Sequence, residues 1–468
     1  MSERQFKPVL GLWDGTMLVA GSMIGSGIFI VSADILRNVG SAGWLIAVWV
    51  ITGFMTITAA VSYGELSGMY PRAGGQYVYL QEAYGRLVAF LYGWSFFAVI
   101  QTGTIAAVGV AFSKFTAYLI PEVSEDLVLL DLGFMQVSPA QVLAIATIVL
   151  LTYVNTRGVR EGKIVQSTFT VTKILSLLGL TFFGFVFMSS DVWSMNWSGE
   201  QTLHSLREGA EPYTMVAALG AIAAAMVGSI FSSDAWNSAT FIGAEMRNPQ
   251  RNIGLSLFLG TAMVCGLYVF TNLMYVAVLP VEEIAFAEND RVAVAVSQVI
   301  FGPVGTVIIA LMIMVSTFGC NNGLILSGAR VSFTMARDGL FFRRAGMLNK
   351  SAVPGSALWY QCALASIWAV TGTYGELLDM IGFVVVMFYV LTIVGIFVLR
   401  RTKPDHPRPY KAFGYPVLPI IYIIMGTSFC LLLIIYKPDF TWPGLIITLA
   451  GIPVYYWTKR RGKMGVGE

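Results

Sequence analysis

Twelve apolar segments, each about the length that crosses a bilayer, constrain this chain more than any other feature. They run over about 12–36, 43–69, 86–119, 138–155, 163–188, 213–245, 252–279, 303–329, 355–372, 376–399, 415–436 and 440–457. A spanning helix needs about 20 apolar residues, and backbone groups inside hydrocarbon must be satisfied within the chain, which selects helices. Only 12% of the residues are charged and the mean hydropathy is +0.72, against about 25% charged in soluble domains. The expectation is an all-α, polytopic membrane protein.

Lys and Arg placement sets the orientation. One set of connections carries Arg4, Lys7, Arg72, Arg86, Arg157, Arg160, Lys163, Arg247, Arg251, Arg330, Arg337, Arg343 and Arg344. The same set continues through Lys350, Arg400, Arg401, Lys403, Arg408, Lys411, Lys459, Arg460, Arg461 and Lys463. The other carries Arg207, Arg291 and Lys437 beside Glu122, Glu125, Asp126, Glu282, Glu283 and Glu288. Both termini are therefore expected in the cytoplasm. The net charge of +3 carries no nucleic-acid signal, and the short polar start, Met1 to Leu10, is not a secretory leader. Cys265, Cys320, Cys362 and Cys430 all fall in apolar segments without metal spacing, and His204 and His406 lie far apart in sequence. No metal, cofactor or enzymatic chemistry is expected.

The first segment is interrupted. Gly21-Ser22-Met23-Ile24-Gly25-Ser26-Gly27-Ile28-Phe29 packs glycines and serines into its centre. A stripe for helix packing would space small residues along one face, whereas Gly25, Ser26 and Gly27 are consecutive and cover all faces. This predicts local unwinding, tolerated in a membrane only beside a cavity or inside protein. No Gly-Lys-Ser/Thr follows and no strand precedes it, so a phosphate loop is a poor reading. A weak echo, Gly228-Ser229-Ile230-Phe231-Ser232-Ser233-Asp234, lies in the sixth segment. Five spans separate the two, so the second copy enters from the opposite side. Paired interruptions in inverted halves point to a secondary transporter's binding site.

Where the first span breaks, a second half-helix starting near Ser26 or Gly27 presents unpaired N–H groups that suit a carboxylate. The first half ends in carbonyls near Met23 that suit an ammonium, and the sixth-span break near Ile230 to Asp234 supplies a second set. Together they fit a zwitterionic amino acid. Ser233 or Asp234 is also a natural helix cap; alternatively the Asp234 carboxylate faces the cavity and meets a substrate cation or a proton.

Lys173 sits well inside the fifth span. Unless it snorkels to an interface, its ammonium needs carbonyls of the first span or hydroxyls of Ser316 or Thr317. A fixed ammonium there occupies a cation site and predicts sodium-independent transport. Glu65 and Glu245, at the basic ends of spans two and six, are placed for gate ion pairs or for solvation. Asn321 and Asn322 face either the cavity or a neighbouring helix, and Trp236, Phe241, Phe383 and Tyr389 either gate or pack. Two polar connections, Tyr70 to Tyr77 and Ala336 to Pro354, read as structured. The Asn196-Trp197-Ser198 sequon is treated as incidental.

These residues resemble the amino acid–polyamine–organocation superfamily, in its L-type exchanger branch, from about Leu12 to Arg461. The resemblance rests on Gly21 to Phe29, Tyr63-Gly64-Glu65-Leu66 with Pro71 and Gly74-Gly75-Gln76-Tyr77, and Gln166 to Lys173. It continues through Phe231 to Asn237, Glu245-Met246-Arg247-Asn248-Pro249, Gly319 to Gly323 with Arg330, Ala336-Arg337-Asp338-Gly339, and Arg408-Pro409-Tyr410-Lys411. It implies a LeuT-type fold with twelve transmembrane helices: a five-helix repeat over 12–188, its inverted partner over 213–399, and two further helices over 415–457. The tails are 1–11 and 458–468.

The resemblance further implies that Ser26 and Gly27 hold a substrate α-carboxylate, and that carbonyls near Met23, Phe231 and Asp234 hold the α-amino group. By the same resemblance Lys173 stands at the vacant sodium position and Trp236 follows the second break. The expected site is thus Met23, Ile24, Gly25, Ser26, Gly27, Phe231, Ser232, Ser233, Asp234, Trp236 and Asn321, with Lys173 and Ser316 as the sodium surrogate. Many relatives have Ala-Tyr where this chain has Ser232-Ser233, which makes the pocket more polar. Leu119 to Ser138 lacks the cysteine that mammalian members use to join a glycoprotein, so no disulfide-linked heavy chain is expected.

The functional expectation is a sodium-independent exchanger of small neutral L-amino acids in a bacterial plasma membrane, working by alternating access. Proton-coupled symport is the near alternative. A transporter-like sensor that binds amino acids without turnover is the distant one.

Overall fold

The structure, a computed structural model, describes residues 6–131, 136–199, 201–371 and 374–464. The first helix, Leu12–Met23, starts where the Gly11 amide donates to the Asp14 carboxylate at 2.8 Å. It stops at Met23, because Ile24 turns to φ −74°, ψ 89°, and helix resumes at Gly27–Ile30 and Ser32–Val39. Gly40 ends it with φ +75°, a left-handed cap that glycine adopts without strain. The sixth segment breaks likewise. Met215–Ser232 is capped by the Thr214 hydroxyl, and helix returns only at Ser238–Phe241, followed by the 3-10 turn Gly243–Glu245.

Between and after them run Ala42–Met69, Arg86–Ser95 continuing through the π-turn Phe96–Ile100 into Gln101–Leu119, Pro139–Arg157, Val159–Val186, Pro249–Val278 and Val292–Arg337. Gly355–Thr371, Tyr374–Thr402, Val417–Tyr436 and Pro438–Met464 complete the bundle. Among the described residues, ten helices are long and apolar enough to cross a membrane. The other two expected positions are filled by Gly355–Thr371, of 17 residues, and by Pro438–Met464, which contains Pro443 and Pro453. The eighth segment begins earlier than hydropathy suggested. Ten further residues precede a kink at Gly302 (φ 65°, ψ −159°), and Pro303 starts the second piece, where a proline lacks no bond that a first turn would make.

Helices Ala42–Met69 and Pro249–Val278 pack along one another and form the frame for both breaks. They touch at glycines: a Cβ on Gly254 would lie 3.3 Å from the Gly64 Cα, the small-residue contact that lets membrane helices approach closely. The breaks themselves are in contact, since a Cβ on Gly27 would lie 1.9 Å from the Ser232 hydroxyl oxygen. Unwinding and close packing are therefore not alternatives here. Consecutive small residues serve both.

The two connections read as structured meet on the basic face. Gly74 donates its amide to the Phe241 carbonyl at 3.1 Å, the Thr334 hydroxyl donates to the Ala73 carbonyl at 3.0 Å, and Asp338 accepts from Tyr77 and Gln81 at 2.9 Å each. On the opposite face, the buried Asn196 amide donates to the Val276 and Leu279 carbonyls at 2.8 and 2.9 Å and accepts from the Val281 amide. The sequon asparagine is thus a structural latch. Two cations passed over in the charge reading, Arg37 and Lys114, also lie at this face, where Arg37 binds Asp290 and the Lys114 carbonyl accepts from Arg291.

Candidate functional site

The end of helix Leu12–Met23 leaves carbonyls without intrahelical partners, and every one from Gly21 to Gly25 finds a donor from another element. Lys173 donates its ammonium to the Gly21 carbonyl, to the Ile24 carbonyl at 2.7 Å and to the Ser316 carbonyl at 3.4 Å. The Ser316 hydroxyl reaches the Ile24 and Gly25 carbonyls at 3.2 and 3.3 Å. Cys320 Sγ donates to the Ser22 carbonyl at 3.0 Å, and the Met23 carbonyl accepts from the Gly25 amide at 2.9 Å and the Tyr268 hydroxyl at 3.0 Å. Lys173 is fully buried, so it does not snorkel. Of the two hydroxyls considered for it, Ser316 sits at the same carbonyls, while Thr317 bonds within its own helix.

In the sixth segment Ser232 is the last helical residue, and Ala235 adopts φ +62°, a left-handed conformation that costs a non-glycine residue about 1–3 kcal/mol and clusters at functional sites. The cap position of the following helix falls on Asn237, with no side-chain cap bond. Asp234 therefore does not cap. Its carboxylate accepts from the Tyr389 hydroxyl at 2.6 Å. Tyr389 and Tyr63 pack on Trp236, with ring centroids 5.1 and 4.7 Å away.

Two cavities flank this pair. One is lined by Gln76, Tyr92, Gln101, Asn237 and Phe241 as well as Asp234 and Tyr389. The other is lined by Thr56, Ile230, Ser233, Trp236 and Tyr422 with the same pair. Each offers about 20 Å³, space for about one water. Met23 to Gly27 line neither. A third cavity, of about 450 Å³, lies between Val159–Val186 and Val292–Arg337, lined by Leu175, Phe183, Phe301 and Val304. Its walls are mostly apolar side chains, and no residue of the broken ends lines it.

The expected residues thus fall into two groups. Met23, Ile24, Gly25, Lys173 and Ser316 form a carbonyl nest, with Ser26 and Gly27 leading from it and Ser232 against Gly27. Ser233, Asp234 and Trp236 line the adjoining cavities with Tyr389, and Phe231 stands one turn back in the helix end. Asn321 is apart from both, its amide donating to the Ile105 carbonyl at 3.2 Å and its Oδ1 buried without a partner. Asn322 bonds Asn155 and Gln166, which makes it a packing residue. Of the remaining aromatics, Phe241 lines the first cavity and packs on Phe96, whereas Phe383 is buried and lines neither. The sequence reading missed Tyr268, Tyr92 and Gln101, since a single mid-span tyrosine or glutamine carries no spacing signal.

A membrane bundle with two unwound helices meeting at a buried carbonyl nest defines a class of carrier. The chain belongs to the amino acid permease family, whose model matches residues 10–455, and with it to the LeuT-type fold. It is 31% identical over 459 residues to the large neutral amino acids transporter small subunit 2 of Homo sapiens, covering 97% of this chain and 82% of that protein. It is 29% identical to the serine/threonine exchanger SteT of Bacillus subtilis, covering 97% and 98%, and 28% identical to the human b(0,+)-type amino acid transporter 1, covering 96% and 87%.

Proposed function

We propose that the chain is a sodium-independent exchanger of small neutral L-amino acids, with its basic face in the cytoplasm. The observation that carries this reading is Lys173. Its buried ammonium sits on the Gly21, Ile24 and Ser316 carbonyls, oxygens of the kind a sodium ion would need. An ammonium there holds the broken end together without a sodium gradient.

The substrate α-carboxylate takes the helix start at Ser26 and Gly27, and the ammonium takes carbonyls of the two helix ends. Asp234, Ser233 and Trp236 then face the side chain. The name of one relative, a serine/threonine exchanger, favours small neutral substrates, while another is named for large neutral amino acids. The cysteine-free connection from Leu119 to Ser138 favours function without a disulfide-linked second chain.

Reconstituted vesicles test the reading. Radiolabelled L-serine should enter serine-loaded vesicles equally well in sodium and in choline, and poorly when the lumen is empty. Loss of uptake in choline would overturn sodium independence. A response to a pH gradient with an empty lumen would indicate proton symport, and binding without uptake a sensor.

A further inference from the structure

Helices Val159–Val186 and Val292–Arg337 touch at one level and part above it. At the contact, a Cβ on Gly319 would lie 2.6 Å from the Phe169 Cβ. Toward the face away from the basic residues the third cavity, of about 450 Å³, opens between them. Phe183 and Phe301 meet at its far end, ring centroids 5.4 Å apart, beside the kink at Gly302.

The cavity is a trough with the dimensions of one hydrocarbon chain. Leu175 and Phe183 on one wall, and Val304 and Met312 on the other, are eight residues apart, about 12 Å at 1.5 Å per residue. One leaflet's share of a hydrocarbon core about 30 Å thick is about 15 Å, so the trough runs along most of a leaflet. Spread over that length, its volume gives a width of about 7 Å, whereas a helix with its side chains needs about 10–12 Å. A second protein helix therefore does not fit, and an extended run of methylenes does. Leu175, Val304 and Ile308 on its walls are exposed, and on a membrane-spanning helix exposed apolar groups face lipid tails.

Gly179, on the wall of the trough, points to the same occupant. Gly184 on the same helix is a packing glycine, since a Cβ there would lie 2.2 Å from the Met274 side chain. At Gly179 a Cβ would meet nothing within 4 Å. Glycine weakens a helix interior, and at 179 no neighbouring side chain uses the room it leaves. Gly266 is equally free but does not line the trough.

We propose that this trough is a binding site for a phospholipid acyl chain, in the leaflet away from the basic face. The chain lies along Gly179 between the two walls and ends above the contact of Phe169 with Gly319. The same helices carry the donors of the carbonyl nest: Leu175 is two residues from Lys173, and Met312 is one turn from Ser316. A lipid in the trough thus braces from outside the two helices that hold the first broken end.

Protein reconstituted with phosphatidylethanolamine that carries a diazirine at mid-chain tests the site. After illumination, peptides covering 175–183 and 304–312 should carry the lipid well above Val417–Tyr436, whose Ile424 and Ile435 are exposed to a similar degree. Gly179→Leu fills the trough from one wall, so it should remove the label from those peptides and leave Val417–Tyr436 unchanged. In delipidated wild type, unlabelled phosphatidylethanolamine should raise the melting temperature, as a ligand of the folded state does. That rise should be smaller in Gly179→Leu.

Even labelling of the trough and of Val417–Tyr436 in wild type would mean surrounding lipid only and would overturn the proposal. That result stands on wild type alone, whether or not Gly179→Leu accumulates. Label on Val417–Tyr436 without label in the trough would mean that another protein surface covers this face, and would overturn it too.

Discussion

On the basic face, Arg330 and Glu245 pair at 2.9 Å with side chains 0% and 1% exposed, and Glu65, also 1% exposed, holds Arg400 at 2.7 Å, Arg408 at 3.4 Å and the Ala412 amide at 2.7 Å. On the opposite face, Arg37 binds Asp290 at 2.7 Å with 20% and 36% exposure, and Arg207 reaches Asp34 at 3.2 Å with 56% and 45%. The distances are similar, and the solvent is not. A buried pair has lost its hydration, so removing one partner strands a charge, whereas an exposed pair falls back on water and salt. The two faces hold their ion pairs in different surroundings. Removing one partner should therefore cost more on the basic side.

Glu245→Gln should test that difference most severely. Stranding Arg330 should cost about 3–5 kcal/mol, read as a loss of melting temperature in detergent. The double variant Glu245→Gln, Arg330→Met should recover most of it, because matched apolar groups replace a buried pair well. Glu65→Gln comes next, with a cost of about 1.5–3 kcal/mol, the range for a charge-assisted bond, since Arg400 and Arg408 keep access to water and to carbonyls.

Asp290→Asn should cost only about 0.2–1 kcal/mol. That cost should disappear near 1 M salt, where screening acts within about 3 Å. If it instead matches Glu245→Gln, burial is not what separates the two faces.

The smallest effect is expected at Lys403, an exposed partner on the basic face. Its hydrogen bond to Glu82 holds the ammonium above the ordinary lysine value. A raised value means that the contribution is complete below the unfolded lysine value of about 10.4 and is lost as pH rises through the folded one. The melting-temperature difference between wild type and Lys403→Met should therefore be flat across neutral pH and shrink in alkali.

The interrupted helices were legible because Gly25, Ser26 and Gly27 are consecutive, a pattern that no single packing face explains. Lys173 was legible because a mid-span cation must find acceptors, and span one offered them. Glu65 and Glu245 were located at the helix ends, but their partners lie 335 and 85 residues away in sequence, beyond any local pattern. Asp234 shows the limit of motif reasoning. A residue type that favours caps sits beside a helix start, yet the cap position falls on Asn237 and the carboxylate turns to Tyr389. Tyr268 gave no signal at all, since its hydroxyl meets the Met23 and Ser232 carbonyls, which only the folded bundle brings together.

The sequence by itself determined the membrane-crossing helices, the two places where helix fails, and the cation buried beside the first. These follow from hydropathy, from backbone freedom at small residues and from the cost of an unpaired charge, all of which act locally along the chain. Tertiary structure alone decided which donor meets which broken end, which side of the molecule carries the buried ion pairs, and that Tyr268 joins the two breaks. The reason is geometric. Hydrogen bonds and ion pairs act over about 3 Å, and the groups that make them here arrive from helices 36 to 335 residues apart in sequence.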